Sequence, residues 1–163
     1  NTDHIGVVGD NGCGKTTLIK KIISSISDDV QTLYIPQEPT DVQEKETLRK
    51  IKGLSNSQRG RVLSIVAQLN SDPDCVLTGE STSPGEMRKL MLAQGMLELP
   101  ELIVMDEPTN YLDLGSTVAL ERLLSEYPGA LLLVSHDLSL IDSATSIKWS
   151  IQRSNGNFKL VVQ

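Results

Sequence analysis

A chain of 163 residues, 39% hydrophobic and 22% charged, suits one globular domain that buries about 70% of the surface its unfolded form would expose. A net charge of −6, with only one Trp, three Tyr and one Phe, argues against a surface that grips a phosphate backbone or stacks on nucleic-acid bases. No apolar run approaches the roughly eighteen residues a membrane span needs, and no signal-peptide pattern opens the chain.

Strand and helix signals alternate along the sequence. "HIGVV" (4–8) reads as a short apolar strand, followed by a Gly-rich turn and the helical run "KTTLIKKIISSI" (15–26). "VQTLYIP" (30–36) reads as a strand that stops at Pro36. Residues 40–79 are polar, with helices expected at about 44–52 and 57–69 and no strand. A helix then starts at "SPGE" (83–86), where Ser83 as N-cap, Pro84 at the first position and Glu86 three residues on spell a capping box before Met87, Leu90, Met91 and Leu92. "LIVMD" (102–106) is a strand, 116–126 a helix, "ALLLVS" (130–135) a strand and the next segment a short helix. "IKWSIQ" and "FKLVVQ" form a hairpin around "NGN" (155–157). Wholly apolar strands alternating with helices predict an α/β fold whose parallel sheet is covered on both faces, with residues 40–79 as a helical insertion. Cys13 and Cys75 form neither a metal spacing nor a disulfide framework, which predicts a reducing cytoplasm. The chain begins at Asn1 and enters a strand almost at once, so a piece of a longer protein is expected.

Three strings carry chemistry. "GDNGCGKTT" (9–17) fits G-x-x-x-x-G-K-[ST] between a strand and a helix, the context that distinguishes a phosphate-binding P-loop from a chance match. Gly9, Gly12 and Gly14 let the backbone curl with its N–H groups inward, and Asn11 and Cys13 contribute backbone to the same cradle. Lys15 is placed to reach the β- and γ-phosphates, the Thr16 hydroxyl to ligate Mg²⁺, and Thr17 to meet the α-phosphate. The second string, "LIVMDE" (102–107), ends a buried strand on two carboxylates. Asp106 is the candidate Mg²⁺ ligand, and Glu107 the candidate base for attack on the γ-phosphate. Third, "LLLVSHD" (131–137) puts His136 at the carboxyl end of a core strand, where open α/β sheets bind ligands. His4, at the opposite end of its strand, reads as structural. Cys13 is a variable position of the loop with no catalytic role expected.

P-loop, Gln37, "SPGE", "LIVMDEP" and "SHD" follow one another in the order and approximate spacing of an ABC-type ATPase domain, which the chain resembles over nearly its whole length. The resemblance implies a P-loop NTPase fold of RecA type lacking the family's first strands, which carry an adenine-stacking aromatic. It implies an ATP-binding domain over 1–163 with a helical subdomain at about 40–98, and ATP and Mg²⁺ as cofactors. "TSPGE" (82–86) stands where the family most often has L-S-G-G-Q: Ser83 and Gly85 match, while Thr82, Pro84 and Glu86 depart. That segment would complete the ATP site of a partner domain, either a second ATPase half of a longer chain or a homodimer mate.

"DEPTNYLDL" (106–114), with Asn110 where transporter motors usually have Ser, is similar to the F subfamily of ABC proteins. These are cytosolic tandem ATPases without membrane domains that act on the ribosome. "SPGEMRKL" and "LLLVSHD…IKWSI" look most like the second ATPase domain of F-type proteins that protect ribosomes from antibiotics. The likeness implies that Gln37 senses Mg²⁺ and the attacking water, that Asp113 lies in the loop crossing to the partner, and that His136 contacts the γ-phosphate. Ribosome contact would come from regions outside this chain. Two other readings stay open, a transporter motor, against which Asn110 speaks, and a non-hydrolysing scaffold, against which Glu107 and His136 together speak.

Overall fold

The computed structural model describes residues 2–73, 83–154 and 157–162. Thr82, Cys75 and most of the "NGN" turn lie outside the described residues. Strands β1 (His4–Gly9), β2 (Thr32–Ile35), β3 (Leu102–Asp106), β4 (Ala130–Val134), β5 (Ile147–Ser154) and β6 (Asn157–Val162) form one sheet in the order β2-β3-β4-β1-β5-β6. All neighbours run parallel except β5 and β6, which pair antiparallel as the hairpin. The helices are α1 (Lys15–Ile23), α2 (Asp41–Lys52), α3 (Asn56–Gln68), α4 (Pro84–Gly95), α5 (Leu114–Ser125) and α6 (Leu138–Ala144). Helices α2, α3 and α4 all intervene between β2 and β3.

The unbroken apolar strands make sense in this arrangement. Ile103, Met105, Leu131 and Leu133 point to one face, into a core shared with Ile51, Val62, Val66 and Leu90 of the inserted helices. Their sequence neighbours Val104, Leu132 and Val134 point to the other face, where they share a core with Val7 of β1 and Ile19 of α1. Both faces are dry, so period-two alternation of polar and apolar residues is absent. Among the described residues no helix is long and apolar enough to cross a membrane.

Capping explains most shifted boundaries. Helix α2 starts at Asp41 rather than 44 because Thr40 and Gln43 close a reciprocal capping box, and Ser55 with Gln58 does the same for α3. Asp113 caps α5, drawing its start back to Leu114. Helix α1 stops at Ile23 instead of 26, where the Ser24 and Ser25 hydroxyls both donate to the Lys21 carbonyl.

The box expected at "SPGE" is corrected to half a box. The Ser83 hydroxyl accepts from the Glu86 N–H at 3.2 Å, but the Glu86 carboxylate does not turn back to the cap. It takes the buried Lys89 ammonium at 2.8 Å instead. A charge-assisted bond to a desolvated cation outcompetes one to a backbone N–H at an exposed residue.

His4 is structural as expected. Its Nδ1 faces the Ala144 carbonyl at 3.0 Å, and its Nε2 faces those of Tyr127 and Gly129 at 3.1 Å, tying β1 to the ends of α5 and α6.

Candidate nucleotide site

The strand order brings four consecutive carboxyl ends side by side. Gln37 follows β2, Asp106 and Glu107 end β3, Ser135 and His136 follow β4, and the Gly-rich loop follows β1. Gly12 and Gly14 have φ of +78° and +93°, a region side chains resist, which lets the loop turn back over the start of α1. No side chain caps α1 and its first turn holds no acid, so the N–H groups of residues 15–17 remain without an intrahelical acceptor at the positive end of the helix dipole. Such an end is an anion site in its own right.

Between these ends lies a cavity of about 630 Å³. The loop contributes Asn11, Gly12, Gly14, Lys15, Thr16 and Thr17 to its wall, and the strand ends contribute Gln37, Asp106, Glu107, Asn110 and His136. Gly9 and Cys13 sit behind the wall. The Gly9 carbonyl accepts from Lys15 Nζ at 2.8 Å, and buried Cys13 packs so closely on Gly9 that a Cβ there would lie 2.8 Å from its Sγ.

Two contacts organise the cavity. The Thr16 hydroxyl donates to Asp106 Oδ2 at 2.8 Å across 90 residues of sequence. Burial pushes the Asp106 carboxyl above its usual range, the Thr16 bond opposes that, and Glu107 adds to it. Glu107 Oε2 meets His136 Nδ1 at 2.7 Å and the His136 N–H at 3.2 Å, and accepts from the Ser135 hydroxyl at 3.4 Å. Its other oxygen lies 4.0 Å from Lys15 Nζ. Glu107 is buried, whereas the His136 side chain is 63% exposed and lines the cavity. The Glu107 backbone is left-handed, with φ of +48°, and its N–H donates to the Val134 carbonyl at 2.7 Å. Strain of about 1–3 kcal/mol in a non-glycine residue persists only where surroundings enforce it.

Arg88 of α4, which gave no signal in the sequence, packs against this turn. It is 3% exposed, and its guanidinium donates to the carbonyls of Asp106 and Glu107 at 2.9 Å and of Asn110 at 3.2 Å. Burial pulls its pKa below the usual arginine value, opposed by Asp106, Tyr111 and Glu107.

Ser83, Gly85 and Glu86 do not reach the cavity. They lie at the amino end of α4, where Gly85 packs so tightly that a Cβ would come within 2.5 Å of the Tyr111 carbonyl. Asp113 is likewise outside the cavity. It is linked to Glu86 through Ser116, whose hydroxyl donates to Asp113 at 2.9 Å and accepts from Lys89 at 2.7 Å. Asn110, one turn after Glu107, is a cavity residue that was legible only as a family marker.

A glycine-built phosphate cradle after a central parallel strand, with an acid pair ending the strand two places away, defines a P-loop NTPase. Residues 1–110 match the family described as "ABC transporter", and the chain belongs to that family of ATP-binding domains. It is 31% identical over 163 residues to the ATP-binding protein Uup of Escherichia coli (strain K12), covering 90% of this chain and 26% of Uup. It is also 31% identical over 162 residues to the ribosome protection protein VmlR of Bacillus subtilis (strain 168), covering 93% of this chain and 30% of VmlR. The chain therefore spans under a third of either relative. An ATP-binding subunit of an ABC transporter superposes with a TM-score of 0.71 at 24% identity, over 99% of this chain and 78% of its own, a likeness of fold.

Proposed function

We propose that this chain is one nucleotide-binding domain of a cytosolic, F-type tandem ABC ATPase that acts on the ribosome, most like the second ATPase domain of ribosome-protecting antibiotic-resistance proteins. The observation that carries the hydrolytic part is the pairing of Thr16 with Asp106 and of Glu107 with His136 on the wall that also holds Lys15. The F-type part is supported by "DEPTN" and by the likeness to VmlR.

The donor set fits ATP with Mg²⁺. Lys15 and the free amides of α1 suit phosphate oxygens, and Thr16 with Asp106 offers the hard oxygen ligands Mg²⁺ takes. When bound there, Mg²⁺ would supply positive charge to offset the charge developing on the transferring phosphate.

The protein's own part is positional. Lys15 binds the terminal phosphates. Gln37 and the Glu107 carboxylate orient the attacking water, and Glu107 accepts its proton. His136, held through Nδ1, turns its other edge to the γ-phosphate. Ser83 and Gly85 serve the neighbour's nucleotide, and Asp113 lies in the crossing loop. ATP binding joins the two domains and hydrolysis releases them.

Glu107→Gln in the full-length gene product tests this reading. ATP binding should stay intact, steady-state turnover should be lost, and the closed form should accumulate with ATP in size-exclusion or crosslinking assays. Unchanged turnover would remove Glu107 from its role.

A further inference from the structure

The turn after β3 carries the proposed base, yet its own sequence does not account for its shape. "DEPTN" offers no glycine for the left-handed position, which falls on Glu107. The carbonyls of Asp106, Glu107 and Asn110 all turn toward α4; that of Glu107 also accepts from the Asn110 N–H at 3.2 Å within the turn. A single guanidinium donates to all three, from a side chain almost wholly removed from water. A planar fork holds its N–H groups in fixed directions, which suits three carbonyls of one turn better than a flexible ammonium does. Its Nε–H is buried without a hydrogen-bond partner among the described residues, so the group tolerates an unmade bond to keep the other three.

We propose that Arg88 is a positioning residue for hydrolysis: by binding the carbonyls of Asp106, Glu107 and Asn110 it fixes the left-handed turn that aims the Glu107 carboxylate at His136 and Lys15. The same helix begins with Ser83 and Gly85, and Gly85 packs directly on the Tyr111 carbonyl. Arg88 therefore ties the base of one nucleotide site rigidly to the segment offered to the neighbouring site. A shift of α4 by a partner's nucleotide would reach Glu107 through this side chain.

The inference rests on the reading of Glu107 as the base, and the test separates the two. ATP turnover and the affinity for Mg²⁺–ATPγS are measured on the full-length gene product carrying Arg88→Gln, Arg88→Lys, Glu107→Gln, or Arg88→Gln with Glu107→Gln. Arg88→Gln should lower kcat tenfold or more with the ATPγS Kd within twofold, and Arg88→Lys, which keeps the charge but not the fork, should fall between. The double variant should turn over no more slowly than Glu107→Gln alone, as expected for residues acting through one group. Folded Arg88 variants with kcat within twofold of wild type, or with kcat and affinity falling together, overturn the inference while an inactive Glu107→Gln leaves the base reading standing. A fully active Glu107→Gln overturns both. Should Arg88→Gln not fold, Arg88→Lys carries the same comparison.

Discussion

Asp106 and Glu107 are adjacent carboxylates with different surroundings. Glu107 is surrounded by donors: the His136 ring, the His136 N–H and the Ser135 hydroxyl, with Lys15 beyond. Asp106 has, among the described residues, one direct hydrogen-bond donor, Thr16, and lies 1% exposed at the end of β3. Burial therefore raises its pKa, which means the ionised form at neutral pH opposes folding rather than supporting it. Asp106→Asn retains an oxygen to accept from Thr16 but removes the buried charge. It should raise the Tm of the nucleotide-free protein, by about 2–4 °C if the relief is about 1 kcal/mol. The same variant should lose Mg²⁺-dependent ATP retention, the exchange of stability for function expected of a charge kept for its ligand. Thermal melts and filter-binding with and without Mg²⁺ measure both, and a lowered Tm would show that the Thr16 bond outweighs the cost of burial.

Helix α4 shows which parts of an element sequence reading reaches. Its start was legible, because Ser-Pro-x-Glu is local grammar and Ser83 does cap it. The P-loop was legible for the same reason: the glycines, Lys15 and Thr16 lie close together in sequence, and the hydrogen bonds of Lys15 go to the loop's own carbonyls at Gly9 and Asp10. Arg88 and Lys89 were not. Two adjacent cations on a helix normally read as a solvated face, and the groups that justify burying them come 18 to 27 residues later or, for Ser71, 18 residues earlier. Glu86 followed from the same blind spot, since its partner Lys89 is recognisable only once buried. The pattern extends to α5, where Asp113 N-caps the helix by accepting from the Ser116 N–H and hydroxyl at 2.8 and 2.9 Å. Those bonds, reinforced by the Lys89 charge, hold its carboxyl below the usual carboxylate range. A depressed folded pKa contributes stability above the unfolded value of about 3.9 and loses it as pH falls through the folded value. The difference in Tm between wild type and Asp113→Ala should thus be constant from neutral pH to about pH 5 and shrink as pH falls below about 4. A gap that widens in acid would contradict the cap's ionic character.

At the scale of the molecule, the sheet order separates what the sequence keeps close. Strand β4 sits between β1 and β3, so His136 falls between the phosphate loop and the acid pair although 29 residues part it from Glu107. Ser83 lies nearer to Glu107 in sequence than His136 does, yet it stays at the exposed start of α4 outside the 630 Å³ cavity. Exposed apolar residues, Tyr111 after β3 and Leu114 and Leu138 at the starts of α5 and α6, follow the same strand ends that carry Glu107 and His136. A domain that holds, as proposed, the base and metal ligands of one site and the signature segment of another should be a poor enzyme alone. The 163-residue chain by itself should hydrolyse ATP slowly, with specific activity rising with protein concentration as pairs form. Adding chains that carry Glu107→Gln, with intact Ser83 and Gly85, should stimulate wild-type chains held at low concentration, because the variant lacks a base but can still complete its neighbour's site. Adding chains with both Glu107→Gln and Ser83→Ala should stimulate less. A concentration-independent rate of several per second, ordinary for a complete enzyme, would mean that one chain holds a whole site and would defeat the two-domain mechanism.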